Sequence, residues 1–145
     1  MAKMLAKNHE LFFYNRSEGK SLALQKELGG EVCNSGEELL EKAQWILLGV
    51  KPKDFQSIAD QYASSFTKDH YLISILAGMD LKVLRKHFSE PVIFATMPNL
   101  PVSCGKGVVG VVDDPQTSEK DKSKMATLFK DLGSVQFLPG WWLCQ

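Results

Sequence analysis

Residues 45–55 read WILLGVKPKDF: a short apolar run that stops abruptly at a lysine and a proline. The run is far too short to cross a bilayer, which takes about 20 apolar residues, so it belongs to a folded core. Its length and the Lys51-Pro52 pair that ends it favour a strand over a buried helix segment, and the unbroken apolar character predicts burial on both faces. Ligands of parallel sheets gather at the carboxyl ends of the strands. The point where this run gives way to Val50, Lys51 and Pro52 is therefore the first candidate for a binding site.

Outward from that strand, short apolar runs alternate with helical stretches. Upstream, LFFY (11–14) reads as a strand. SEGKSLALQKEL (17–28) reads as a helix with Leu22, Leu24 and Leu28 partly on one face, stopped by Gly29-Gly30, and NSGEELLEKA (34–43) as a second helix capped by Asn34 or Ser35. Downstream, residues 52–66 carry apolar side chains at Phe55, Ile58, Ala59 and Tyr62, which is helical spacing. YLISIL (71–76), VIFATM (92–97), VVGVV (108–112) and SVQFL (134–138) read as strands, with helices over 79–88 and 118–132 between them. Strands alternating with helices predict βαβ units, a mostly parallel sheet and right-handed crossovers. The opening MAKMLAKNHE reads as the later turns of a helix, with Met4 and Leu5 packing inward.

The 145 residues form one domain's worth of chain, with 17 basic and 17 acidic side chains and no net charge. Such a balance gives no broad basic field for nucleic acid, and the 44% hydrophobic content suffices for a globular core. Cys33, Cys104 and Cys144 are odd in number and show no CxxC or Cys/His metal-ligand spacing, which fits a reducing, cytoplasmic setting. No stretch is long enough for a membrane helix, and the N-terminus lacks the apolar core of a secretory signal. The expected class is an α/β domain that meets small molecules, neither nucleic acid nor membrane.

Four strand ends carry the candidate chemistry. Asn15-Arg16-Ser17 follows the LFFY strand, where a carboxylate would mark preference for the ribose of NAD. An arginine there accommodates the 2′-phosphate of NADP, its planar fork suiting a phosphate and Ser17 adding a hydroxyl at a helix start. The plainer alternative is a solvated arginine and a capping serine. Val50, Lys51 and Pro52 would line a ligand while Pro52 opens the next helix at its first position; read plainly, they are a helix start and a solvated lysine. Ala77-Gly78 would let a flat ring approach the backbone, or form a tight turn before an Asp80 cap. In TMPNLPVSCGKG (96–107), Pro98 and Pro101 bracket Asn99 in a stiff loop with an exposed amide. His9, His70 and His87 fall outside these strand ends, and no Ser/His/Asp arrangement, HExxH or P-loop pattern is visible. No catalytic residue is assigned.

Taken together, FFYNRS, the strand ending LLGVKP, the strand leading into ISILAGM, and ATMPNLPV followed by GKGVVGV resemble the N-terminal half of pyrroline-5-carboxylate reductase, from about Met1 to Phe137. The resemblance implies a Rossmann-type, doubly wound, mostly parallel sheet that binds NADPH, with NADH possible, and delivers hydride to the C=N bond of 1-pyrroline-5-carboxylate to give L-proline. It places Asn15, Arg16 and Ser17 at the adenosine ribose and its 2′-phosphate, and Val50, Lys51 and Pro52 at the middle of the cofactor. Ala77 and Gly78, with the Met97, Pro98 and Asn99 loop as substrate rim, would lie near the nicotinamide. Residues 1–138 then form the dinucleotide-binding domain and residues 139–145, ending GWWLCQ, an atypical tail.

The family's first strand and glycine loop, its helical dimerisation domain and its Ser-Gly-Pro segment have no counterpart in these residues. The chain by itself is therefore expected to be inactive. Two rival readings stand beside this one: a non-catalytic chain on the same scaffold acting by interaction, and a different NADP-dependent reductase.

Overall fold

A computed structural model describes residues 1–76, 78–98 and 105–140. The elements run α1 (Ala2–Leu5), β1 (Phe12–Phe13), α2 (Glu18–Leu28), β2 (Glu31–Val32), α3 (Gly36–Lys42), β3 (Trp45–Leu48), α4 (Phe55–Tyr62) and β4 (Tyr71–Ser74). They continue with α5 (Leu81–His87), β5 (Val92–Pro98), β6 (Gly107–Val112), α6 (Glu119–Leu128) and β7 (Gly133–Leu138). Five strands form one sheet in the order β3-β4-β5-β6-β7, and β1 pairs with β2 in a separate two-stranded ribbon. Among the described residues every pairing is parallel except β5 with β6. This is the mostly parallel, Rossmann-like α/β architecture that the alternating pattern predicts.

Period-2 alternation divides the core into two layers. Ile46 and Leu48 of β3, Leu72 of β4, and Ile93 and Ala95 of β5 join Phe55, Ala59, Leu84 and Phe88 in one cluster. Tyr71 and Ile73 of β4, Phe94 of β5, and Val109 and Val111 of β6 join Met4, Leu5, Met125 and Phe129 in the other. Each of the valine, leucine, isoleucine, phenylalanine and methionine side chains among these contributes roughly 1.5–3 kcal/mol on burial. Across the sheet, Trp45 lies opposite Tyr71 in register and their rings stack at 4.0 Å.

Local chemistry sets the helix ends. Ser35 accepts from the Glu38 N–H and Asp80 from that of Val83, as expected of caps. The Glu38 carboxylate accepts in return from the Asn34 N–H at 2.7 Å, and that bond, more than the neighbouring Lys42, holds its pKa below the usual value. Gly29 and Gly30 end α2 at φ of +76° and +87°.

Two expectations are corrected, and one strand is added. The WILL strand is not buried on both faces: β3 is one of the two outer strands of the five, and Leu47 is 39% exposed. The inward face of α2 is not led by Leu22, which is 48% exposed; Ser21 is buried instead, with Leu24 and Leu28 beside it half-buried. The strand β2 is not legible in the sequence, because two residues are too few to show a period.

Candidate functional site

The carboxyl ends of β1 and β3 open onto one cavity of about 670 Å³. Asn15, Arg16 and Ser17 line it from the β1 side, and Val50 and Lys51 from the β3 side. Two segments 35 residues apart in sequence, Asn15 against Val50, thus meet at one cavity. Pro52 stands behind them as the first residue of a 3₁₀ turn, Pro52–Asp54, that leads into α4.

Ser17 occupies the N-cap position of α2, yet its side chain makes no capping hydrogen bond. Instead Asn15 Oδ1 accepts from the Ser17 N–H at 3.3 Å, a turn that holds the three residues together. The Ser17 hydroxyl is therefore not committed to the helix end. Arg16 is largely exposed and lies 3.6 Å from Asp54, which belongs to the turn after Lys51. An ion pair so exposed is worth about 0–1 kcal/mol, so it does not sequester the guanidinium.

Lys20 and Lys53 add two further exposed cations to the cavity wall, and Asp54 is its acid. Sequence reading missed all three. Lys20 was signalled by its spacing, one helical turn beyond Ser17, and Lys53-Asp54 by adjacency to Lys51-Pro52.

The inner wall carries a tyrosine pair. Tyr14 ends the LFFY run and its hydroxyl accepts from that of Tyr62 at 3.1 Å. Tyr62 packs so closely on Gly36 that a Cβ there would lie 2.4 Å from its ring. Burial first, and the Tyr14 contact second, push the Tyr62 pKa up to about 12. Because folding favours the neutral phenol, its contribution is fully present below pH 10, the ordinary value, and is lost as pH rises toward 12. Tyr62→Phe is accordingly expected to flatten part of the alkaline loss of stability. The checking measurement is the difference between the urea midpoints of parent and variant across that window; a difference that does not change with pH would refute the burial cause.

The other described candidates are not brought to this cavity. Gly78 lies in the turn after β4 at φ +73°, with open space where a Cβ would stand. Met97 sits in β5, half-buried against the cluster that holds Phe55 and Phe88. Pro98 closes β5, paired in register with Val109. Ala77 and Asn99 lie outside the described residues, as do Cys104 and Cys144. Cys33 is buried, as a small core residue, and burial raises its thiol pKa. His70 is also buried: its Nδ1 accepts from the Thr67 N–H and its Nε2 lies 2.7 Å from the Leu40 carbonyl.

Comparison with known proteins gives this geometry a family. Residues 1–78 match the family described as NADP oxidoreductase coenzyme F420-dependent. Pyrroline-5-carboxylate reductase of Staphylococcus haemolyticus is 30% identical over 131 residues, covering 89% of this chain and 48% of that protein. The Staphylococcus epidermidis reductase of the same name is 29% identical, covering 88% and 48%. The chain thus spans about half the length of the curated relatives it matches. Among solved structures, a pyrroline-5-carboxylate reductase from Coxiella burnetii superposes with TM-score 0.81 at 20% identity, over 94% of this chain and 52% of that one. The Plasmodium falciparum pyrroline carboxylate reductase with NADP bound gives 0.80 at 23%, over 96% and 53%. Prephenate dehydrogenase of Aquifex aeolicus gives 0.80 at 14% identity over 98% and 56%, a likeness of fold alone. By the match across more than half of its residues, the chain belongs to the NADP oxidoreductase, coenzyme F420-dependent, family, and it is similar along about half of their length to pyrroline-5-carboxylate reductases.

Proposed function

We propose that this chain is the NADP(H)-binding part of a pyrroline-5-carboxylate reductase, an oxidoreductase acting on the C=N bond of 1-pyrroline-5-carboxylate to yield L-proline. The observation that carries the reading is the convergence of Asn15-Arg16-Ser17 and Val50-Lys51 on one cavity with a basic rim. The donor chemistry fits a phosphorylated ribose: a guanidinium, an uncommitted hydroxyl and two lysines stand within one wall, and the exposed Asp54 pair is weak enough for a phosphate to displace. The cofactor, when bound, supplies the hydride.

In this reading Arg16 and Ser17 bind the 2′-phosphate, with Lys20 and Lys53 neutralising its charge. Asn15 holds the turn that presents them, and Val50, Lys51 and Pro52 face the middle of the cofactor. Gly78, with Ala77, and the rim of Met97, Pro98 and Asn99 lie toward the nicotinamide and the substrate. NADH is the second-choice cofactor, because no carboxylate ends β1. The domain comprises residues 1–138, and its setting is cytoplasmic. Oligomerisation and the remainder of the substrate pocket belong to the half of the relatives that this chain does not span.

Calorimetric titration of the chain with NADPH and with NADH tests the reading. The expected result is NADPH binding stronger than NADH binding. Binding of neither by the folded chain would favour the rival in which the scaffold acts by interaction alone. Equal binding of both would remove the 2′-phosphate role from Arg16. Turnover of 1-pyrroline-5-carboxylate by the 145-residue chain alone is expected to be negligible.

A further inference from the structure

The sheet has two outer strands, β3 and β7. Natural outer strands are guarded by charged side chains, prolines, bulges or shortness, because a row of free N–H and C=O groups invites another strand. β7 has none of these guards. Its six residues, GSVQFL, carry no charge and no proline. They pair with β6 in an unbroken register from Gly107↔Gly133 to Val112↔Leu138, with no bulge to turn the edge aside.

One bond fixes which backbone groups point outward. The Leu138 carbonyl accepts from the Asp113 N–H at 2.8 Å, so Leu138 faces β6. Successive residues of a strand turn their N–H and C=O to opposite edges. Ser134 and Gln136 therefore also face β6, and Gly133, Val135 and Phe137 face outward. Among the described residues no strand pairs with that edge. The side chains divide between the two faces of the sheet. Val135 and Phe137 are half-buried against the layer of Met125 and Phe129, with Lys122 Nζ 6.0 Å from the centre of the Phe137 ring. Ser134 and Gln136 are exposed.

We propose that two copies of this chain associate through β7, antiparallel about a two-fold axis at Val135, so that their sheets become one. The strand is complementary to itself in this register. Centred on Val135, every outward residue meets an outward residue: Val135 meets Val135 of the second copy, and Gly133 and Phe137 meet each other twice, each pair exchanging both N–H···O=C bonds. A shift toward the carboxyl end sets Gly133 or Val135 against Pro139, which has no N–H to give. A shift the other way sets Val135 or Phe137 against Asp131, which lies in the 3₁₀ turn before the strand.

The side chains agree with the same register. Phe137 falls across Gly133, where it fills the space that the glycine leaves. Ser134 falls opposite Gln136, two uncharged groups able to hydrogen-bond. A two-fold axis normal to the sheet keeps each face on its own side, so Val135 beside its twin extends the apolar layer across the axis. The chain has no net charge, so two copies carry no overall repulsion. The association is independent of nucleotide binding.

The test is sedimentation equilibrium of the 145-residue chain over a concentration series, with hydrogen exchange read at its two ends. The expected result is a monomer–dimer equilibrium in which amide exchange at Val135 and Phe137 slows by about tenfold or more where the dimer prevails, with β3 unaffected. Ser134 and Gln136 are exposed and can be replaced without touching the core. Ser134→Lys together with Gln136→Lys sets like charges opposite one another and should raise the dimer Kd by about tenfold or more. Ser134→Glu together with Gln136→Lys sets opposite charges in the same places and should leave the Kd at or below that of the parent. Each double variant controls for the folding of the other. A monomer at every concentration up to about 1 mM, a dimer protected at β3 or on a helix, or equal loss of the dimer in both double variants would each overturn the proposal.

Discussion

Gly133→Ala is expected to cost about 3–5 kcal/mol, a large share of the 5–15 kcal/mol that a domain of this kind possesses. Gly133 opens β7 directly opposite Gly107, the first residue of β6. Its φ is +129°, outside what a side chain tolerates, and a Cβ built there would lie 2.0 Å from the Gly107 carbonyl oxygen and 2.6 Å from its nitrogen. Both neighbours are backbone, so neither can swing aside as a side-chain end would. The chain has to choose between backbone strain and a displaced ladder, and the β6–β7 ladder runs over six register pairs.

Gly19→Ala supplies the opposite sign. That glycine lies in the first turn of α2 with nothing within 4 Å of the added carbon and no positive φ. Alanine there should stabilise the chain by about 0.5–1 kcal/mol through helix propensity. Urea unfolding of the two variants checks both results. If Gly133→Ala unfolds at the parent's midpoint, the close approach of β6 and β7 is wrong.

The two glycines also show what sequence can carry. Nothing in the letters separates Gly19 from Gly133, because the difference lies in a strand that meets Gly133 from 26 positions away. The alternation of apolar runs with helical spacings, by contrast, is local and periodic, and it placed β1, β3 through β7 and α2 through α6 to within a few residues. It failed where context beyond the segment decides. Residues 45–48 are apolar at every position, which is the mark of a strand with neighbours on all sides. Among the described residues β3 nevertheless stands at the edge of its sheet, and Leu47 is left exposed. Ser21 reads as a surface residue of a polar helix and is buried, because the helix turns that side toward a second cavity of about 480 Å³ lined by Phe12, Phe13, Trp45 and Ile46.

The candidate site divides along the same line. Asn15-Arg16-Ser17 and Val50-Lys51-Pro52 were legible because strand ends followed by polar residues are a local signature of α/β binding sites. That they share a cavity is a matter of topology. Lys20, Lys53 and Asp54 escaped notice because charged residues on a helix surface are ordinarily only solvated; their relevance lies in facing the same opening. Tyr62 is further still from any sequence signal, being brought to Tyr14 across 48 residues.

Arg16→Ala is expected to weaken NADPH binding by about 10- to 150-fold, the equivalent of the roughly 1.5–3 kcal/mol that hydrogen bonds to a charged group contribute. NADH binding should change by less than about twofold, because that cofactor offers no 2′-phosphate to the guanidinium. The ratio of the two affinities, more than either alone, identifies the role, since a merely misfolded variant would lose both. Arg16→Lys should recover only part of the loss: a lysine keeps the charge but not the planar fork that engages two phosphate oxygens at once. Asp54→Asn argues the same geometry from the other side. Its carboxylate lies 3.6 Å from Arg16, so it competes with an incoming phosphate for the guanidinium, and its removal should strengthen NADPH binding by up to about fivefold, the worth of an exposed pair. Calorimetry across the three variants, at one salt concentration, makes the comparison. An unchanged NADPH/NADH ratio in Arg16→Ala would assign the guanidinium to solvent and Ser17, Lys20 and Lys53 to the phosphate; weaker NADPH binding in Asp54→Asn would show that the carboxylate positions Arg16 for the phosphate and does not compete with it.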